Sequence, residues 1–311
     1  MKRSTEKQEI FHQKALKYCE NLNLDINILS EKNKDQIKNI IKSTRTEQEI
    51  NKLKNKQLHG QYLSLLHQNH IDKIESTKWL RDSKLKRTTE ATICAIQEQA
   101  ITTKYVQKHI HKTTNDDVCR ACKQQKETIH HIISGCSTLA PTKYLQRHDN
   151  LCKYIHILLL EKYGIPTQNA NKWYTYEPEP VTENEAVKIL WNFPIQTDHQ
   201  LKHNKPDIMV IEKTTRKAFI IDIAIPNDQN IAVKRGEKIR NYLDLSVEIK
   251  QMWNLSKTTI IPVIIGATGM IHNEFENLIK PLNINFNLRE AQKIVLLGTV
   301  HITRAFLQLE A

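Results

Sequence analysis

The sequence holds little glycine, seven residues in 311. Seven are too few for the glycine-rich loops with which nucleotide folds cradle phosphate. Aromatic residues are also sparse, at 6%. No apolar run approaches the ~18 residues of a membrane span; the longest, IHILLL and TTIIPVIIGA, are short. The opening stretch MKRSTEKQEIFHQKALKYCE lacks the apolar core of a secretory signal. A reducing intracellular compartment, nuclear or cytoplasmic, is therefore expected, with no membrane partner. In that setting the six cysteines do not read as a disulfide framework. Wholesale disorder is excluded too, because regularly spaced apolar residues interrupt the charged ones.

What the chain has is positive charge. Lys and Arg number 46 against 34 Asp and Glu, a net +12. Positions 1–160 carry 28 basic and 17 acidic residues, leaving 18 and 17 for positions 161–311. A polyanion-binding half joined to a nearly neutral half has this distribution. A solvated lysine-rich surface would have it too.

The patterning changes along the chain. Positions 1–112 read as a basic helical region. Two helices are expected across 5–57, broken near Asn23–Ser30. Leu63, Leu66, His70 and Ile74 share a helical stripe, and Ser76 is placed to cap a short helix through Trp79. Positions 113–165 hold a Cys/His cluster and an amphipathic helix ending at Gly164. A linker is expected over 166–180. Positions 181–311 turn β-rich, with strands at Ile208–Ile211, Ala218–Ile225 and TTIIPVIIGA. A long helix over IAVKRGEKIRNYLDLSVEIKQMW is expected to cross one sheet face, and further helices close the chain. The class is α/β (α+β): a basic all-α N-terminal half with a zinc-like cluster, then a mixed sheet flanked by helices.

Cys119 and Cys122 stand at x2 spacing, followed by His131 and Cys136 at x4 spacing. Two thiolates from a tight turn, with an imidazole and a third thiolate from a helix start, make a closed tetrahedral shell for structural Zn²⁺. His130 is the alternative fourth ligand, and His109 and His111 are more distant ones.

Asp207 follows Lys205-Pro206 at the entry to one strand, and Asp222 lies fifteen residues later among isoleucines on the next. A carboxylate in such company is costly unless paired or metal-bound. Two carboxylates on adjacent hairpin strands can meet around a hard divalent cation, Mg²⁺ or Mn²⁺. Such a cation lowers the pKa of a water and stabilises charge on a phosphodiester in flight. Lys234, Arg235, Lys238 and Arg240 on the next helix offer cations for the phosphate. On spacing alone, a turn aspartate and a strand-end salt bridge account for these residues equally well.

The PD pair, the acid one hairpin later and a lysine displaced onto the following helix resemble the PD-(D/E)xK nuclease core. Ala224 occupies the position where that family usually has its lysine. The displaced-lysine form is similar to the restriction-enzyme-like endonuclease of non-LTR retrotransposon polyproteins, in which a CCHC knuckle precedes the nuclease. LHGQYLSLL, YLQRHDNL, EKIRNYLDLSVEIKQMW, IIPVIIGATG and LREAQKIVLLGTVHITRAFL extend the resemblance from about position 55 onward. It implies Asp207 and Asp222 as ligands of a catalytic Mg²⁺ or Mn²⁺, with Lys238 as the displaced lysine. It implies Zn²⁺ on Cys119, Cys122, His131 and Cys136. It also implies Arg147 and His148 as the family's Arg-His element and nucleic-acid contacts, beside Lys234 and Arg235 on the helix after the second strand. The implied activity is metal-dependent nicking of target DNA, with a catalytically weak nucleic-acid-binding remnant as the alternative. DNA, RNA and a full-length element protein acting in trans are the implied partners. The family's second lysine before the helix tyrosine is Asn241 here, ahead of Tyr242. No paired-aspartate motif of the polymerase type stands in a strand–turn–strand setting, so reverse transcription is not expected of this chain.

Overall fold

A computed structural model describes residues 2–56, 58–82, 84–167 and 173–309. The chain divides into two compact units, Met1–Ser64 and Leu65–Ala311.

In the first unit α1 (Lys2–Asn21), α2 (Ile26–Ser30) and α3 (Lys34–Lys54) follow in order. The expected break falls after α1, where Asn23 takes a left-handed φ of 54°. Asp25 caps α2, and Asn33 with Gln36 forms a capping box for α3. Ile37, Ile40, Ile41 and Leu53 on α3 are only half-buried. Caps and pairs such as Lys52 with Glu49 at 3.0 Å therefore contribute more to this helix than a core face does.

The boundary between the units falls inside α4 (Gln61–Leu66). Next come α5 (Lys73–Asp82), α6 (Arg87–Gln97) and α7 (Lys104–Val106), which runs into a π turn at Gln107–His111. The stripe expected on one helix is broken up: Leu63 and Leu66 lie on α4, His70 in the turn after it, and Ile74 on α5, where it is exposed. Ser76 is not a cap. It lies buried inside α5, accepting the Ile271 amide at 2.9 Å, while Asp72 takes the Glu75 amide at the helix start. Then follow α8 (Ile129–Ser134) and α9 (Leu145–Lys162), whose run from Tyr154 to Leu160 is buried on every side.

The sheet has five strands in the order β1-β2-β3-β4-β5: Val181–Glu183, Val187–Trp191, Ile208–Glu212, Lys217–Ala224 and Lys257–Ile264. The first four pair antiparallel, and β5 joins β4 in parallel. The crossover between β4 and β5 holds α10 (Ile231–Asn241) and α11 (Leu243–Met252). One helix was expected there. The helix breaks at Tyr242, whose ring is drawn into the interior. α12 (Phe275–Ile279) and α13 (Leu288–Leu307) follow.

Alternation along the strands separates two sheet faces. Ile208, Val210, Phe219, Ile221 and Ile223 pack with α9 and with Ala291, Ile294 and Val295 of α13. Met209, Ala218 and Ile220 pack with Tyr242, Leu245 and Ile249. A third core joins Trp79, Ile93 and Ile96 to the Cys/His region and to Leu296, Val300 and Phe306 of α13. Thus α13 lies in two cores at once. The boundary expected at 112/113 falls inside the second unit, and the linker expected over 166–180 lies partly outside the described residues, at 168–172. Among the described residues no helix is long and apolar enough to cross a membrane.

Candidate functional site

Two side-chain clusters stand out in the second unit. The first begins on a small hairpin, bridged between Val118 and Lys126, that bears the Cys119–Cys122 turn. Lys123 closes the turn with a left-handed φ of 55°. Thr128 then caps α8 through the His131 amide, which sets His131 in the first helical turn. Cys119 Sγ lies 4.0 Å from Cys136 Sγ, and Cys122 Sγ lies 3.3 Å from His131 Nε2. The four donor atoms all fall within 4.8 Å of one another. A tetrahedron with metal arms of about 2.0–2.3 Å has edges of roughly 3.3–3.8 Å. The cluster can therefore hold a metal ion such as zinc.

The surroundings suit a bound cation. Gln125 Oε1 lies 3.1 Å from His131 Nδ1, so it accepts that N–H and leaves Nε2 turned to the thiols. Burial, with Cys122 and Cys136 nearby, pushes the Cys119 thiol up to about 11. A cation among the sulfurs would reverse that shift. The buried Glu127 accepts the Arg120 and Lys104 amides at 2.9 Å and pairs with the Arg120 guanidinium at 2.8 Å, fixing the hairpin. His130 is not in the cluster. His109 is engaged by Asp117 at 2.8 Å, and His111 is exposed.

The second cluster lies where β3 and β4 meet α9 and α10. Asp207 precedes β3, and Asp222 on β4 points, by alternation with Ile220, to the face bearing α10 and α11. Asp207 Oδ2 accepts the Ile223 amide at 2.7 Å, which ties its carboxylate across to β4. Asp222 is 2% exposed. Its Oδ2 lies 2.6 Å from Lys238 Nζ, a close ion pair whose angles fall short of a directed hydrogen bond. The Tyr242 hydroxyl reaches two acceptors, Asp222 Oδ1 at 3.1 Å and the Lys205 carbonyl at 3.0 Å. From α9, His148 Nε2 comes within 3.2 Å of Asp207 Oδ2, with Asp149 Oδ1 at 3.1 Å from its Nδ1.

The charges are unequal across this pair. Burial and the neighbouring Asp207 push Asp222 up to about 6, against the pull of Lys238 and Tyr242. Burial also opposes ionisation of Asp207, but His148, the Ile223 amide and Lys238 hold it below the ordinary value. Burial works against a charged His148, yet Cys152, Asp149 and Asp207 keep its pKa well above the histidine range. Two carboxylates driven apart in acidity beside one lysine mark a chemically specialised place. The buried Asp222 Oδ2 is compensated by the Lys238 ammonium at 2.6 Å.

Asp207, Asp222, Lys238 and His148 are thus brought together, while the other expected contacts are dispersed. Arg147 is 3% exposed and faces inward. Its guanidinium donates to Thr299 Oγ1 at 2.7 Å and to the Ile133 carbonyl at 2.9 Å. It bonds the α8 segment to α13 and is not a surface contact for phosphate. Lys234 pairs with Glu237 at 2.7 Å, and Arg235 pairs with Glu274. Sequence reasoning missed Asp149, Cys152 and Gln125 as neighbours of these sites. The carboxamide of Gln125 left no signal in the pattern, but Asp149 and Cys152 follow His148 on one helix within a turn. No family model matches this chain, and no curated protein matches it.

Proposed function

We propose that the second unit is a metal-dependent DNA endonuclease module of the PD-(D/E)xK type, derived from a non-LTR retrotransposon polyprotein. The observation that carries this reading is the meeting of Asp207 and Asp222, from adjacent strands, with the Lys238 ammonium 2.6 Å from the more buried acid. Asp207 and Asp222 would hold Mg²⁺ or Mn²⁺, which supplies an activated water and charge neutralisation at the phosphodiester. Lys238 is positioned to stabilise the negative charge that develops on the phosphate. Zn²⁺ on Cys119, Cys122, His131 and Cys136 would be structural, since no coordination position is left open for substrate. DNA is the expected partner, with RNA and a full-length element protein in trans as further ones, in a nuclear or cytoplasmic setting.

Two observations favour the alternative, a nucleic-acid-binding remnant without activity. Lys238 already compensates Asp222 without a cation, and Asn241 replaces a family lysine. Nicking of supercoiled plasmid with Mg²⁺ or Mn²⁺ decides between them. The nuclease reading expects Asp222→Asn and Lys238→Ala to abolish or strongly slow nicking while DNA affinity is unchanged. Wild-type protein that binds DNA and never nicks it leaves the remnant.

A further inference from the structure

We propose that His148, Asp149 and Cys152, all on α9, form a second transition-metal site, one that takes Zn²⁺ or a like ion such as Co²⁺. The site is independent of the endonuclease reading: its donors include neither Asp222 nor Lys238, and it requires no step of phosphodiester cleavage. Four features of the molecule carry it.

The first is proximity. One donor atom from each of the three residues lies within 4.8 Å of the other two. His148 Nδ1 stands 3.1 Å from Asp149 Oδ1 and 3.6 Å from Cys152 Sγ. A tetrahedron with nitrogen and oxygen arms of about 2.0–2.1 Å and a sulfur arm of about 2.3 Å has edges of roughly 3.3 Å and 3.6 Å at those places. The Asp149 side chain, 40% exposed, is free to turn and close the third edge toward Cys152. The second feature is the frame. His148 and Cys152 are four residues apart, so one turn of α9 stacks them on a single face without ordering a loop.

The third is support from behind. Asp207 Oδ2, fixed by the Ile223 amide at 2.7 Å, lies 3.2 Å from His148 Nε2. A carboxylate on one imidazole nitrogen sets the tautomer and leaves the other, here Nδ1, for a metal. The fourth is the lack of a competing cation. Asp149 pairs with His148 itself, and among the described residues no lysine or arginine pairs with it. The nearby Lys153 is taken by Glu177 at 2.6 Å. Asp222 differs in this respect, since Lys238 already occupies its Oδ2.

Thiolate and imidazole select an ion of the zinc class over Mg²⁺, which takes oxygen and keeps its waters. Bonds from the metal to sulfur and nitrogen form as the Cys152 S–H and His148 Nδ1–H bonds break, and both protons go to solvent. The Nε2–H stays with Asp207. Three protein donors leave the fourth position to water, unlike the closed set at Cys119, Cys122, His131 and Cys136.

The test adds Co²⁺ to full-length protein brought to one zinc per chain. Wild type should bind one further Co²⁺, with a thiolate-to-cobalt charge-transfer band and the strong visible bands of a tetrahedral ion. Zinc content should hold constant through the titration; Co²⁺ uptake matched by zinc release is exchange at the Cys119 cluster and overturns the site. Cys152→Ser should lose the charge-transfer band, and Asp149→Asn should weaken Co²⁺ binding by about tenfold or more. Wild type that takes no Co²⁺ beyond its zinc overturns the proposal, as does bound Co²⁺ without a thiolate band. A band that persists in Cys152→Ser traces the sulfur to another cysteine and overturns it too. The exposed Asp149 keeps the test decisive where Cys152→Ser does not fold: unaltered Co²⁺ affinity in Asp149→Asn removes the three-donor site.

Discussion

Arg147 and Asp228 show how individual charges serve the interior. Asp228 is buried against Thr268, accepting its amide at 3.3 Å and its hydroxyl at 2.5 Å. Gly266 passes so close that a Cβ there would overlap Asp228 Oδ1, and one on Gly298 would meet Arg147 Cγ at 2.6 Å. Both glycines make room for charged side chains. Truncating Arg147 to Ala would leave the Ile133 carbonyl and Thr299 without their donor and Asp228 without a nearby cation. A loss of roughly 3–5 kcal/mol is expected from urea unfolding. Burial, partly offset by Thr268 and Arg147, lifts Asp228 to about 6 from its ordinary 3.8. A folded-state pKa above the unfolded one means that the native state binds the proton more tightly. The stability carried by this group is therefore greatest below about pH 4, falls as the pH rises to about 6, and is level above that. The full excursion is at most about 3 kcal/mol. Asp228→Asn should gain on wild type as the pH goes from 4.5 to 7. Stability curves for the two proteins that run parallel across that interval would refute this assignment.

At the level of elements, the Cys/His hairpin and α8 bring together four side chains that could hold one metal ion. Purified protein should carry about one zinc per chain. His131→Ala and Cys136→Ser should lose it, whereas His130→Ala should keep it; equal metal content in all three would refute the ligand set. That set was legible because thiol and imidazole spacing on a turn and a helix start is short-range information. β3, β4 and β5 were legible for a similar reason: isoleucine-rich runs bounded by turn residues announce buried strands, and the observed limits differ by at most three residues. The meeting of Asp207 with Asp222 was foreseen from strand adjacency and resemblance together. What stayed hidden was the choice of polar side chains by the interior. Apolar periodicity ran straight through Tyr242, yet its hydroxyl is taken by Asp222 and Lys205, and the helix breaks there. Ser76 looked like a cap because serine often is one, but the Ile271 backbone, almost two hundred positions away, occupies its hydroxyl. Arg147 looked like a phosphate contact because basic residues usually face water. No local pattern reports that three distant segments will close over it.

For the whole molecule, the division at Ser64–Leu65 changes the meaning of the charge distribution. Residues 1–64 hold 13 basic and 8 acidic residues, and the second unit holds 33 and 26. Net charges of +5 and +7 make both units cationic, and within the second unit positions 65–160 carry 15 basic and 9 acidic residues against 18 and 17 in positions 161–311. The second unit is bound together by α13. Ile294 lies in the sheet core and Phe306 in the core that holds Cys119 and Cys136, each 1% exposed. Ile294→Ala and Phe306→Ala should each cost about 2–5 kcal/mol. Both should lower one shared unfolding transition, in which zinc release and loss of sheet signal coincide. Zinc leaving in a separate, earlier step would show that the two cores are independent. During synthesis the same helix emerges after every element it joins. Until α13 has emerged, the sheet face that it shares with α9 and the core beside the Cys/His hairpin lack part of their cover. A stop codon near Asn287 would therefore be as damaging as one at the start of the sheet, because the missing residues are those that let the earlier ones fold.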